Sequence, residues 1–124
     1  MNKSNLEKIA NLIEGIPPKY FNMYNFIHQD YIGDKIITVG NTIGHATILD
    51  VYNIQKNFKP KGVVDYLSWS EYFTGLSAES EEWEWCFSPK WVKYDNTPTG
   101  AAKRIKILIE NGLPENWKHN LNNK

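Results

Sequence analysis

Leu6, Ile9, Ala10 and Ile13 recur at helical spacing, with Leu12 beside them, and predict a first helix from Asn5 to about Glu14. Ser4 and Glu7 form a capping-box pair at its start, and Gly15 followed by Pro17-Pro18 stops it, because proline has no N–H to continue the ladder. From Tyr20 to Ile27 large apolar and polar residues alternate in part. Asparagine is a poor strand residue, so this stretch is expected as an extended, aromatic-rich segment laid over the core. A turn over Asp30 to Gly33 and a short strand over Lys35 to Val39 follow.

Asn41 and Thr42 can cap a second helix over Gly44 to about Ile54, with Ile48, Val51 and Tyr52 on one face. Gln55 to Gly62 reads as a polar loop. From Val63 to Thr74 the apolar positions Val64, Leu67, Trp69 and Phe73 suit a third helix, with Tyr72 nearby and Gly75 as its stop. Ser77 is placed to cap a fourth, from about Ala78 to Phe87, which ends before Pro89. Lys90 to Asp95 is a connector. Thr97 as cap, Pro98 at the first position and Gly112 as stop bracket the last helix, with a stripe of Ala101, Ala102, Ile105, Leu108 and Ile109. The expected fold is therefore mainly α: a compact bundle of about five helices with a short β element near residues 35–39. It forms one domain over residues 1–117, followed by a polar tail over 118–124.

Composition narrows the function classes. Fourteen Lys+Arg balance fourteen Asp+Glu, whereas a nucleic-acid binder gains much of its affinity from a basic excess that neutralises phosphates. Nucleic acid is accordingly a disfavoured partner. Cys86 is the single cysteine, which excludes an internal disulfide and a cysteine-based zinc site. No apolar run reaches the length of a membrane span, and Met1 to Glu7 contains no apolar stretch of signal-peptide type, so a cytoplasmic location is expected.

Candidate chemistry is sparse. The corner Tyr72-Phe73-Thr74-Gly75-Leu76-Ser77-Ala78-Glu79 has the form of a helix–turn–helix junction, but its second helix carries Glu79, Glu81, Glu82 and Glu84, which phosphates would repel. Those glutamates read first as a solvated face and second as an acidic contact for a partner. Glu81 and Glu84 share a face, yet no histidine stands at matching spacing, and no metal or other cofactor is expected. His28, His45 and His119 form no metal-binding motif. An enzyme reading rests on Cys86 meeting His45 in space, and Cys86 lies between Trp85 and Phe87, where an inert buried thiol is the ordinary state. Lys103, Arg104 and Lys106 form a basic cluster that could meet an anionic ligand. Gly40-Asn41-Thr42-Ile43-Gly44 has the minimum features of a helix-entry anion site but lacks the ending of a phosphate-binding loop. Five tryptophans, at 69, 83, 85, 91 and 117, lie in the second half, which therefore holds either the core or a binding face.

Several segments taken in order carry a resemblance. They are Ile16-Pro17-Pro18-Lys19-Tyr20-Phe21-Asn22-Met23, the helix start Thr42-Ile43-Gly44-His45-Ala46, the corner Gly75-Leu76-Ser77, and Asn96-Thr97-Pro98-Thr99-Gly100-Ala101-Ala102 leading to Ile109-Glu110-Asn111-Gly112. Over about residues 5–113 this order resembles a group of small proteins encoded by phages and prophages. That group shares a Phe-Asn-Met segment, a Cys-Gly-Thr-x-Gly-Cys helix start, a Gly-Leu-Ser corner and a Thr-Pro-x-x-Ala-Ala final helix. The present chain departs from it where the group has cysteines, with Gly40 or Val39 and His45 in their place, and Leu49 replaces the following tryptophan. The resemblance implies a setting, a viral accessory protein inside a bacterium, and supplies no activity.

The resulting expectation is a non-enzymatic phage accessory protein that binds a host protein, with counter-defence as its role. Trp83, Trp85 and Trp91 with Glu79 and Glu82 are the candidate contact residues. The alternatives are a protein that sequesters a nucleotide signal through Lys103, Arg104 and Lys106, and a DNA-binding regulator.

Overall fold

A computed structural model describes residues 1–47 and 62–118. The far end of the second helix with Ile48, Val51 and Tyr52, the loop over 55–61, His119 and the tail beyond Lys118 lie outside the described residues.

Among the described residues the architecture is mainly α, a bundle of five helices with one short β element. Helix α1 spans Lys3–Glu14 and buries Leu6, Ile9, Ala10 and Ile13, the stripe its sequence predicts. Its cap differs from the expected capping box. Asn2 is the N-cap, its side-chain oxygen accepting from the Asn5 N–H at 3.0 Å, and Ser4 lies within the first turn. Tertiary contact sets this start. The Asn2 N–H donates to the Thr74 carbonyl at 2.7 Å, and the Asn5 amide donates to the Phe73 carbonyl at 2.8 Å.

The segment after α1 covers the core, with Phe21 and Met23 buried and Tyr24 turned to solvent, but it is not extended throughout as expected: a 3-10 helix over Pro18–Tyr20 opens it and a turn at Met23 and Tyr24 bends it. It leads into a hairpin of β1 (Ile27–Ile32) and β2 (Lys35–Gly40), antiparallel with Ile32 opposite Lys35. The strand therefore runs through the expected turn at Asp30, and the turn is confined to Gly33 and Asp34. Gly33 has φ 61°, the left-handed conformation that a two-residue hairpin turn requires.

Helix α2 is described over residues 42–47, and the side-chain oxygen of Asn41 caps it by accepting from the Gly44 N–H at 2.9 Å. The glycines at its entry serve close packing. A Cβ at Gly44 would stand 1.7 Å from the Phe26 carbonyl oxygen, and one at Gly40 2.3 Å from the same atom. Asn41 already fills the helix entry, so the sequence feature that suggested an anion site is a steric one.

Helix α3 covers Val63–Thr74 and ends at Gly75, whose φ of 70° is left-handed. Helix α4 covers Glu81–Phe87, shorter than expected, because Ser80 rather than Ser77 is its cap: the Ser80 hydroxyl accepts from the Trp83 N–H at 3.1 Å. Ser77 instead closes the preceding turn, accepting at its carbonyl from the Ser80 N–H and at its hydroxyl from the Glu79 N–H. A 3-10 helix over Pro89–Lys93 forms the connector. Helix α5, Pro98–Asn111, has the predicted Thr97 cap and Gly112 stop, and it packs along α1 in the most extensive helix–helix contact among the described residues. Ile109 stands half-buried, while Arg104 joins the buried stripe.

Candidate partner-binding groove

The tryptophans resolve into core and cover. Trp83 and Trp85 are 7% and 8% exposed, and Trp117 is buried with them. Each indole N–H of the α4 pair has an internal acceptor, the Ser70 hydroxyl for Trp83 at 2.9 Å and the Arg104 carbonyl for Trp85 at 2.7 Å. Trp85 meets Trp91 and Trp117 edge to face at 5.4 and 5.6 Å, the arrangement that aromatic quadrupoles favour. Trp91 is half-buried and donates to the Glu84 carbonyl at 3.3 Å. The expectation that Trp83, Trp85 and Trp91 form an exposed contact face is thus corrected: their surface is largely spent on closing α4 against α3 and α5.

The basic cluster on α5 also separates. Arg104 is buried, its guanidinium over the Trp91 ring at 4.3 Å and its Nη1 donating to the Asp95 carbonyl at 3.3 Å. Its Nε and Nη2 have no hydrogen-bond partner among the described residues. Burial lowers its pKa to about 10, with the Asp95 carboxylate opposing the shift. Lys106 reaches across to Glu14 on α1 at 2.5 Å, and Lys103 alone stands exposed. Arg104 thus leaves the expected cluster, while Lys103 and Lys106, three residues apart, remain neighbours on the outer side of α5. Helical spacing from Ala101 to Leu108 runs through position 104, a signal that places it on the core side.

Cys86 is fully buried, and burial pushes its thiol well above the usual range. His45 is buried on α2, with Nε2 donating to the Tyr20 carbonyl at 2.6 Å and its ring stacked on Phe21. A carbonyl only accepts, so that nitrogen carries the proton. Burial holds the Cys86 thiol in its neutral form, which is not the nucleophilic one. Among the described residues no group of three His, Cys, Asp or Glu converges to hold a metal ion. Glu84 is paired with Lys118 at 3.6 Å, while Glu79 and Glu81 stand exposed and Glu82 half-exposed.

A different surface emerges at α3. The buried side of this helix is Trp69, Ser70, Phe73 and Thr74, with Trp69 stacked on Phe73 at 4.9 Å. Val64, expected inside, is 73% exposed, Tyr72 is 69% exposed and Leu67 is half-buried. Val64, Leu67, Ser68 and Glu71 instead line one wall of an open groove of about 640 Å³, whose other wall is Ser77, Ala78, Glu79 and the edge of Trp83. The Ala78 N–H donates to the Glu71 carboxylate at 2.9 Å, which fixes that carboxylate at the corner. Of the expected contact residues, Trp83 and Glu79 come together here.

Charge sharpens the picture. Between Val63 and Pro89 the chain carries Asp65, Glu71, Glu79, Glu81, Glu82 and Glu84 and no lysine, arginine or histidine, although the whole chain is neutral. Sequence reading missed the groove because it placed Val64 inward. The basic-free stretch was visible all along and would have pointed to it.

No protein-family model, no curated protein and no solved structure matches this chain. No described helix is long and apolar enough to cross a membrane.

Proposed function

We propose that this chain is a phage accessory protein that acts in the bacterial cytoplasm by binding a host protein, with an antiviral defence component as the target its setting favours. The observation that supports the reading is the outward face of α3. A helix whose opposite face is fully used by the core still presents Val64 and Tyr72 to solvent. Val64 and Leu67 line an open groove rimmed by Ser68, Glu71 and Glu79, and apolar surface with a polar rim is characteristic of protein contact sites. The order of short motifs shared with small phage proteins supports the setting.

Native mass spectrometry of the protein recovered from bacterial cells, before and during phage infection, tests this function. A complex heavier by the mass of a second, different protein supports it. A small added mass would instead favour the ligand-sequestering reading, and a bare monomer under both conditions would count against both.

A further inference from the structure

We infer that the groove between α3 and the start of α4 receives an amphipathic helix of the partner whose apolar stripe is flanked by lysine or arginine. This rests on the protein-binding function proposed above and adds the chemistry of the partner segment.

Two features of the groove set the occupant. Its wall on α3 runs from Val64 through Leu67 to Glu71, two helical turns, or roughly 10 Å of axis. An entering helix would set apolar residues at i, i+3, i+4 and i+7 against Val64, Leu67 and Ala78. The corner end of the groove carries Glu71 and Glu79, both exposed and neither in an ion pair among the described residues. No lysine, arginine or histidine lies between Val63 and Pro89, so the charged side chains lining the groove are Glu71 and Glu79, and their field favours a cationic flank on the partner. The same field disfavours the other occupants. Nucleic acid would bring phosphates to carboxylates, and a second copy docking the same face would bring glutamate against glutamate. A strand would find the α3 helix on one wall and a turn on the other, with no sheet edge to extend.

Two designed helical peptides of about 16 residues serve as probes, long enough for several turns. They share one leucine stripe and differ only in flanks of lysine or glutamate. Fluorescence anisotropy gives the affinities, and amide chemical shifts locate the contact. The lysine-flanked peptide is expected to bind at least about tenfold more tightly, with shifts centred on Val64, Leu67, Ala78 and Glu79. Val64→Gln, at a position open to solvent in the free protein, is expected to weaken that binding at least about fivefold. Glu79→Lys is expected to narrow or reverse the preference between the peptides.

Equal binding of both peptides, no binding of either, or binding that Val64→Gln leaves unchanged would overturn the inference. So would self-association of the protein that Val64→Gln abolishes, since the occupant would then be a second copy. A native host complex that survives both substitutions would leave the binding function standing and remove the groove from it. Absence of any host complex would remove the function, while the peptides still decide the groove.

Discussion

The indole N–H of Trp83 donates to the Ser70 hydroxyl at 2.9 Å, and that hydroxyl donates in turn to the Leu67 carbonyl one turn back along α3. A polar residue on the buried side of α3 is thereby satisfied, and α4 is fixed in register against α3. Ser70→Ala leaves the buried indole N–H without its acceptor. The expected loss is about 1–3 kcal/mol in urea denaturation. A double-mutant cycle with Trp83→Phe should show that most of this loss is shared between the two positions.

Among the described glycines, Gly44 leaves the least room for a Cβ. Gly44→Ala forces a methyl group against the Phe26 backbone carbonyl, which cannot swing aside as a side chain could. A destabilisation of about 3 kcal/mol or more is expected. Gly62→Ala is the control, because a Cβ there meets nothing within 4 Å and the backbone is extended. Gly62 is the N-cap of α3, where alanine is disfavoured, so the loss in thermal unfolding should be small, within about 1 kcal/mol, and well below that of Gly44→Ala.

Arg104 is a buried cation with two nitrogens that have no hydrogen-bond partner among the described residues, so its charge adds cost that its packing offsets. Arg104→Met keeps the stem and removes the charge, and stability should stay within about 1 kcal/mol of the parent or rise. Arg104→Ala removes the surface that covers Trp91 and should cost about 2 kcal/mol. A larger loss for the methionine variant than for alanine would refute this account.

Cys86 gives the pH dependence. Its folded pKa lies above its ordinary value of 9.0, so the unfolded chain loses the thiol proton first as pH rises. The folded state then binds more protons than the unfolded one, and stability falls with pH from about 9 upward. Cys86→Ala should flatten that slope relative to the parent, whatever it costs in packing. In native buffer the thiol should resist an aromatic disulfide reagent, and it should react promptly once urea unfolds the chain.

Asn2→Ala should cost about 1 kcal/mol through loss of the α1 cap, and Ser4→Ala less than about 0.5 kcal/mol. The reverse order would restore the capping box that the local sequence suggests.

The contrast between α5 and α3 shows what the sequence by itself determined. Thr97, Pro98 and Gly112 mark the ends of α5 through backbone chemistry local to each position: a hydroxyl that accepts from the Gly100 N–H, a ring that fixes φ, and a residue free of Cβ strain. The stripe of α1 and the stop of α3 at Gly75 are legible for the same reason. Only the tertiary structure decided which way α3 faces. Its apolar residues, Val63, Val64, Tyr66, Leu67, Trp69, Tyr72 and Phe73, lie all around the helix, so periodicity selects no single side. The choice falls to the Trp69–Phe73 stack and to Ser70 and Thr74, whose hydroxyls find acceptors one turn back and so tolerate burial. Val64 is left outside as a consequence, and the groove with it. The same holds for Arg104 and for the cap of α1, each set by an atom distant in sequence: the Trp91 ring in one case, the Thr74 carbonyl in the other. Capping and turn chemistry act over a few residues and can be read from a sequence. The facing of an evenly apolar helix is fixed by the neighbours it meets, and those are assembled only when the chain folds.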